Sequence, residues 1–386
     1  MNALLLYVFL DVIAFSSIII AVLPFHVMFL GAGPFIVTLY ISIFSFIQFF
    51  VSPYLGKLSD KFGRKPMLLS SSCADFASHL IMAFANTLPL VLISRVIAGC
   101  FSCNLSVGSA YISDITNENE RTKYIGRYNS AYSLGFAIGP IVGGYLAGNN
   151  PLEPNYFASG IFAASINFIN IFILFFLLKK TKKVAVKFKS TNYVKQIYEI
   201  ITKKEVSYLF YLYFLINFVF SGLNGIFALW SEKVFNWGPQ QIGTLMCFVG
   251  ILLAFHQSIS INFFVKKFKE KMTALISIFF IFIGIFLLTI TKTYILLSCA
   301  VFFCTFGIGM FNPTINSLIS QKINKDQTGS ALSINQSALS ISRFSGQPFS
   351  GLFFQTFSYN APLYIGLCLL GITQILYAKK LANKID

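Results

Sequence analysis

The stretch 56-GKLSDKFGRK-65 carries five charged residues between two long apolar segments. The whole chain of 386 residues is 56% hydrophobic and only 11% charged, with a mean hydropathy of +0.73. A soluble domain has about 25% charged residues. A short charged loop in such a composition predicts a membrane protein in which loops in water join apolar helices.

Working outward from this loop, twelve apolar runs are each long enough to cross a bilayer as a helix. The predicted spans are 3–23, 34–55, 67–86, 88–112, 124–147, 156–178, 207–230, 240–263, 272–290, 293–316, 327–352 and 361–378. One long polar connection, 179–206, divides them into bundles of six at 1–178 and 207–386. The predicted fold is an all-α membrane protein made of two six-helix bundles.

The basic residues are distributed unevenly among the loops. Of 29 Lys and Arg, 25 fall at the connections that follow even-numbered spans or in the C-terminal tail. This positive-inside pattern predicts that both termini are cytoplasmic. The net charge of +16 therefore indicates orientation and contact with anionic lipid headgroups, and it does not favour nucleic-acid binding. The connection 179–206 is either a helix lying on the headgroups or a solvated run of charge.

The two predicted bundles also share a weak internal repeat. Ile112, Gly139 and Gly144 recur 207 residues later as Ile319, Gly346 and Gly351. Two similar units related by an axis normal to the membrane would enclose a central cavity for a transported molecule.

The opening loop has a recognisable spacing. Gly56 is expected to let two helices approach, Gly63 to permit a tight turn, and Asp60 to accept hydrogen bonds or pair with a basic residue. The pattern G-x-L-x-D-x-x-G-R-K, which ends in Arg64 and Lys65, resembles the signature of the major facilitator superfamily. The resemblance implies a cytoplasmic latch; the alternative is a loop that only sets topology. Asp114 and Arg121, in the similar segment 110–126, are further latch candidates.

A second resemblance lies in 135-GFAIGPIVGG-144. It matches G-x(3)-G-P-x(2)-G-G, which the superfamily's antiporters carry. Gly135, Gly139, Gly143 and Gly144 are expected to form a groove for close helix packing, and Pro140 to bend the helix. Packing alone would explain the glycines, while the complete pattern favours antiport.

The segments 9–24 and 110–126 resemble the tetracycline/proton antiporters and related drug exporters. Asp11 occupies the place of the membrane-embedded aspartate of that group, which implies a role in proton coupling. Ionisable groups within a span are costly and are functional candidates by default. Arg95 matches R-x-x-x-G and must hold an anion, either Asp11 or a substrate group; a purely structural ion pair with Asp11 is the alternative.

Asp75 and His79 are four residues apart on one helical face and could pass a proton, or could form a structural pair. In the second half, His256 is displaced by about one turn from the histidine of the tetracycline antiporters. Arg343 lies deep in a predicted span and suggests a ligand bearing a carboxylate. The remaining substrate-binding candidates are side chains that could line a cavity: Asn217, Asn224, Phe227 and Gln336.

The sequence therefore predicts a monomeric, proton-coupled antiporter of the bacterial inner membrane that exports a small amphipathic compound. No cofactor is expected because the proton gradient supplies the energy, and no metal site is expected because Cys100 and Cys103 have no second pair of ligands nearby. The absence of nucleotide-binding and nucleophile motifs disfavours an enzyme. The alternatives are transport of an anionic metabolite or siderophore, and a non-transporting receptor or enzyme on this fold.

Overall fold

A computed structural model describes residues 1–179, 204–323 and 328–382, and this part of the chain is almost entirely helical. Up to residue 179 the helices are α1 Asn2–Ile19, α2 Leu23–Phe29, α3 Pro34–Phe62, α4 Arg64–Ala83, α5 Leu88–Phe101, α6 Asn104–Ile115, α7 Glu118–Ala147 and α8 Tyr156–Phe172, which the π-helical turn Ile173–Leu177 extends. The predicted linker 179–206 lies largely outside the described residues.

Beyond the linker, the helices are α9 Lys204–Phe235, α10 Pro239–Phe255, α11 Ile261–Ile290, α12 Tyr294–Gln321, α13 Thr328–Thr356 and α14 Ala361–Ala382. A π-helical turn, His256–Ser260, joins α10 to α11. Lys269 has a φ of 59° and interrupts α11 between its short first part and its long second part.

Within the described residues, nine helical stretches are long and apolar enough to cross a membrane. The stretch Pro239–Ile290 contains two of the predicted spans, 240–263 and 272–290, on either side of Lys269. Two other predicted spans correspond to α4 and α13, which are long helices with many serines and several ionisable or amide side chains. These polar residues lower the mean hydropathy of α4 and α13 below that of the nine apolar stretches.

The described residues form two compact units. Unit 1 contains residues 1–179 together with Ala228–Gly250, which are the end of α9 and most of α10. Unit 2 contains residues 204–227 and those from Ile251 onward.

Glycines allow the first helix of each half to pack closely on a later helix. In unit 1, an added Cβ at Gly139 would lie 2.7 Å from the carbonyl oxygen of Ile13 on α1 and would collide with Ser16. In unit 2, a Cβ at Gly346 would collide with α9 at Phe218 and Ser221. The repeat predicted from sequence thus corresponds to the same kind of contact in both units.

Local signals explain several helix ends. Gly63 has a φ of 101°, which lets α3 stop and α4 begin without a loop, as the sequence predicted. At the other end of α4, buried His26 on α2 donates from Nε2 to the carbonyl oxygen of Ala85 over 2.8 Å. The His26 ring also stacks on Tyr156 at 3.8 Å, so it ties α2 to the start of α8.

Candidate functional site

The centre of unit 1 contains a buried polar cluster built around Asp11. The carboxylate lies on α1 and is 6% exposed, and its Oδ2 accepts a hydrogen bond from Asn104 Nδ2 over 2.6 Å. Asn104 Oδ1 in turn accepts from Ser71 Oγ on α4, also over 2.6 Å. Asn104 therefore connects α1 and α4 through one amide group, whose nitrogen donates to the Asp11 carboxylate and whose oxygen accepts from the Ser71 hydroxyl.

Asp75 is the second carboxylate of the cluster. It is buried on α4, interacts electrostatically with Asp11, and lies near Asn104 and Arg95. Two carboxylates in a low-dielectric site hold one negative charge more readily than two. The arrangement can therefore take up and release a proton as a pair, in addition to either group acting alone.

Arg95 supplies the positive charge in this region. Its side chain on α5 is fully buried, and Nη2 donates to the hydroxyls of Ser78 and Ser94 over 3.3 Å each. Its electrostatic partner is Asp75, and in the part of the chain that the structure describes Arg95 forms no ion pair with Asp11. The purely structural Asp11–Arg95 pair considered from the sequence is therefore not present in this structure.

Asp75 and His79 share a helical face but have different partners. His79 Nδ1 accepts a hydrogen bond from Asn167 Nδ2 on α8 over 2.8 Å, which places the proton of the neutral ring on Nε2. Asp75 instead faces Asn104 and Ser71. Among the described side chains, the two are not hydrogen-bonded to each other.

Asn104 was not predicted as a functional residue because its segment was predicted to be one continuous helix. The predicted span 88–112 is in fact broken at Ser102 and Cys103, whose backbone leaves helical geometry, so that Asn104 is the first residue of α6. Gln48 donates to Ser102 Oγ over 2.8 Å, and Tyr128 donates to the carbonyl oxygen of Asn104 over 2.8 Å. No Pro or Gly marks the break in the sequence, so only these tertiary contacts could reveal it.

At the end of α3, the charged loop forms a compact ion cluster. Arg64 contacts Asp60 through Nη1 at 2.5 Å and Asp114 through Nε at 2.9 Å. Partial burial lowers the pKa of Arg64, but hydrogen bonds and charge from Asp114 and Asp60 outweigh this effect and leave the pKa raised. The expectation that Asp60 pairs with a basic residue is thus met by Arg64. In contrast, a Cβ at Gly56 would meet no described atom within 4 Å, so the close helix approach expected there is absent from this structure.

The other latch candidates contact backbone rather than carboxylates. Lys65 Nζ donates to the carbonyl oxygens of Phe175 and Leu178 over 2.7 Å each, at the end of the π-helical turn that follows α8. Arg121 Nη2 lies 3.5 Å from the carbonyl oxygen of Ser113, next to Asp114. Lys65 therefore anchors the end of α8 to the charged loop.

The predicted glycine groove on α7 receives α1. An added Cβ at Gly135 would lie 2.6 Å from the carbonyl oxygen of Phe9, and Cβ atoms at Gly139 and Gly143 would collide with α1 one and two turns further on. Gly144 faces the carbonyl oxygen of Pro239 at the start of α10, which belongs to the same unit. Pro140 lies within α7, between these contacts. The groove thus holds the helix that carries Asp11.

Unit 2 contains the remaining candidates. Asn217 is buried on α9 and donates from Nδ2 to Asn312 Oδ1 on α12 over 3.1 Å. Arg343 and Gln336 on α13 and Asn224 on α9 are exposed within the isolated chain, whereas Phe227 is buried. Arg343 interacts electrostatically with Tyr213 on α9, so α9 and α13 bring these two side chains near each other.

His256 lies at the π-helical turn and faces an aromatic cluster. Nδ1 is 3.0 Å from Ser260 Oγ, and the ring makes edge contacts with Phe302 and Phe306 on α12. Nε2 is buried and has no hydrogen-bond partner among the residues that the structure describes. His256 therefore belongs to the packing of the π-helical turn against α12, within unit 2.

Comparison with known proteins places this geometry in a family. The Major Facilitator Superfamily model matches residues 4–347. The chain belongs to this superfamily. It is therefore a multi-pass membrane transporter, as the charged-loop signature and the glycine pattern predicted, and it is not an enzyme.

Individual members of the superfamily agree with this assignment. The chain is 29% identical over 342 residues to the class H tetracycline resistance protein of Pasteurella multocida, covering 88% of this chain and 83% of the relative. It is 25% identical over 370 residues to the quinolone resistance protein NorA of Staphylococcus aureus, covering 94% of this chain and 92% of that relative. The crystal structure of the nucleoside transporter NupG superposes with a TM-score of 0.77 at 14% identity, covering 99% of this chain and 98% of that one. The superfamily fold is therefore shared over almost the whole molecule.

Proposed function

We propose that this protein exports small amphipathic compounds in exchange for protons, as a twelve-span transporter of the bacterial inner membrane with both termini in the cytoplasm. The observation that carries the proposal is the buried hydrogen bond between Asp11 and Asn104. It joins Asp11, an ionisable group in the first span, to a polar cluster that contains a second carboxylate, Asp75, whose own electrostatic partner is Arg95. Relatives named for tetracycline and quinolone resistance favour a drug-like substrate.

The cluster suits proton coupling because its charge is adjustable. Arg95 keeps its charge at all relevant pH values, and it attracts the negative form of Asp75. Among the described side chains, buried Asp11 accepts a hydrogen bond from the neutral donor Asn104 alone, and it interacts electrostatically with the like-charged Asp75. A change in water access to α1 would therefore change whether Asp11 carries a proton.

The proton must also bias the conformation, and α1 provides a connection. The helix that carries Asp11 lies in the glycine groove of α7, and α7 also contacts the start of α10 through Gly144 and Pro239. A movement of α1 that follows protonation would be transmitted directly to α7, because backbone atoms meet there without intervening side chains. Alternating access would then follow from rearrangement of these packed helices.

Transport in liposomes tests the proposal. Purified protein should accumulate tetracycline or a quinolone under an imposed pH gradient, and a protonophore should abolish the accumulation. Asp11→Asn keeps a similar shape and removes the titratable group, so it should lower gradient-driven accumulation by about tenfold or more. Accumulation that is unchanged in Asp11→Asn would overturn the coupling role, and failure of any solute to cross would favour the receptor alternative.

A further inference from the structure

We propose that Arg343 forms an anion-recognition site in unit 2, and that the transported compounds therefore carry a carboxylate or a similar anionic group. This inference rests on the proposed transport function and specifies its substrate class. It comes from a charge imbalance between the two units. In unit 1 the buried cation Arg95 has Asp75 beside it, whereas Arg343 has no such neighbour among the residues that the structure describes.

The imbalance is visible in the acidic residues of unit 2. Glu270 is the one acidic residue whose side chain the structure describes there, and it accepts a hydrogen bond from Gln321 at the end of α12. Asn312, which contacts the Asn217 face of α9, is nine residues earlier on α12, or about 13 Å at 1.5 Å per residue. Glu270 is therefore engaged at the end of α12, and within the described residues no ion pair joins it to Arg343.

Arg343 also lies too deep to reach water along its own helix. It is the sixteenth residue of the 29-residue helix α13, about 20 Å from either end. An arginine near a helix end can extend its side chain to the interface, but one at the centre cannot. The guanidinium must therefore face a polar pathway or an anionic partner.

The faces of α13 indicate which of its sides is polar. Gln336, Arg343 and Gln347 recur at the spacing of one helical face, on which Gln336 and Arg343 are exposed and Gln347 is buried. Exposed Ile341 and Leu352 share a different face. An apolar exposed face suits lipid, and a polar exposed face suits a solute pathway. The side of α13 that carries Arg343 is thus the one suited to contact a transported molecule.

Two reciprocal hydrogen bonds fix α13 beside α9. Ser221 Oγ donates to the carbonyl oxygen of Ser342 over 2.8 Å, and Ser342 Oγ donates to the carbonyl oxygen of Phe214 over 3.0 Å. Arg343 follows Ser342 directly, so its position at the edge of the α9–α13 contact is set by the backbone. On α9, Tyr213 and Asn217 lie one turn apart at this edge.

This geometry suits a carboxylate. A guanidinium can donate two parallel hydrogen bonds to a carboxylate, and neighbouring amides can bind further polar atoms of the ligand. The pairing would also offset the cost of holding an arginine in the middle of a span.

Binding of matched ligands tests the inference. We would measure the affinity of purified protein for 2-naphthoate and for its uncharged analogue 2-naphthamide, with the wild type, Arg343→Gln, Arg343→Lys and the control Lys292→Gln. Lys292 is an exposed cation of the same unit, so its replacement makes the same change in charge. The wild type and the control should prefer the carboxylate. Arg343→Gln should weaken naphthoate binding by about tenfold to a hundredfold and leave the affinity for naphthamide unchanged. The affinity of Arg343→Lys for naphthoate should lie between those of the wild type and Arg343→Gln.

Equal affinity of the wild type for the acid and the amide would overturn the inference, as would an Arg343→Gln variant that keeps the preference. The Tm of each variant in detergent shows whether it is folded, and Arg343→Lys serves as the second test if Arg343→Gln does not fold. The measurement is independent of proton coupling. If the carboxylate preference persists while gradient-driven transport is absent, the proposed function fails and the anion site stands.

Discussion

Asn104 Nδ2 donates to Asp11 Oδ2 over 2.6 Å, at the point where the fourth predicted span breaks into two helices. The amide is held from the other side by Ser71, so it cannot turn away from the carboxylate without losing a second hydrogen bond. The charged form of Asp11 thus depends on the position of α6. This relationship links the proton site to a helix break, which is the kind of irregular backbone that membrane transporters place at their binding sites.

Replacing Asn104 should change the pH dependence of transport. Asn104→Ala removes the one described donor that stabilises the charged form of Asp11, so half-maximal transport should occur at a higher pH than in the wild type. The measurement is the initial rate of gradient-driven uptake in liposomes as a function of pH. Asn262→Ala, which removes an exposed amide that donates to the local carbonyl of Ser258, is the matched control. Superimposable pH profiles for Asn104→Ala and the control would contradict the role assigned to Asn104.

The charges of Arg95 and Asp75 should be coupled energetically. Asp75→Asn leaves a buried guanidinium without its carboxylate, and Arg95→Met leaves the carboxylates without their cation. Each single change should lower stability by about 3 kcal/mol, and the double variant should recover part of that loss. The Tm of the four proteins in detergent, compared as a double-mutant cycle, measures the coupling. Strictly additive losses would show that the two charges do not interact.

Much of the fold was predictable from the sequence because the physical signals are strong. The hydropathy of the spans and the positive φ needed at Gly63 follow directly from residue type. The glycine groove was predicted as well, because glycines spaced four residues apart allow backbones to meet. The span that corresponds to α13 was the weakest of the predictions, because the segment is rich in Ser, Gly and Gln, and the internal repeat supported it. The span that corresponds to α4 was predicted from its apolar run alone.

Arg64 should be irreplaceable by lysine. Its guanidinium contacts Asp60 and Asp114 through different nitrogen atoms, and a single ammonium group cannot reproduce both contacts. Arg64→Lys should therefore reduce the initial transport rate by about tenfold, even though the charge is kept. Lys57→Gln, which removes an exposed charge from the same loop, should transport at the wild-type rate. If Arg64→Lys transports at the same rate as Lys57→Gln, the loop is not a latch. It then only sets the topology of the chain, which is the alternative interpretation of the loop.

The packing of α1 on α7 should be sensitive to a single methyl group. Gly139→Ala would place a Cβ 2.7 Å from the carbonyl oxygen of Ile13, so a backbone shift is required. We expect a loss of about 1–3 kcal/mol, seen as a lower Tm in detergent. Gly126→Ala on the same helix meets no described atom within 4 Å and should have no effect or stabilise the helix slightly. Equal Tm values for the two variants would show that the groove tolerates a side chain.

The details of the site were harder to predict, for reasons of tertiary structure. Asp11 was singled out because it lies in an apolar span, but its partner Asn104 is 93 residues away and follows a break that no local residue signals. His79 and Asp75 have the spacing of two residues that could form a pair on one helical face. Helical spacing cannot show, however, that His79 is hydrogen-bonded to Asn167 on α8 instead. His26 was overlooked because nothing in its local sequence indicates its contacts with Ala85 and Tyr156.

The carboxyl group of Asp11 is expected to exchange a proton when substrate binds. The most direct measurement is the release of protons from purified protein in weakly buffered detergent when tetracycline or 2-naphthoate is added. The wild type and the exposed-carboxylate control Glu153→Gln should both release protons, and Asp11→Asn should bind the same ligand without releasing any. Release of the same number of protons by Asp11→Asn would contradict the account.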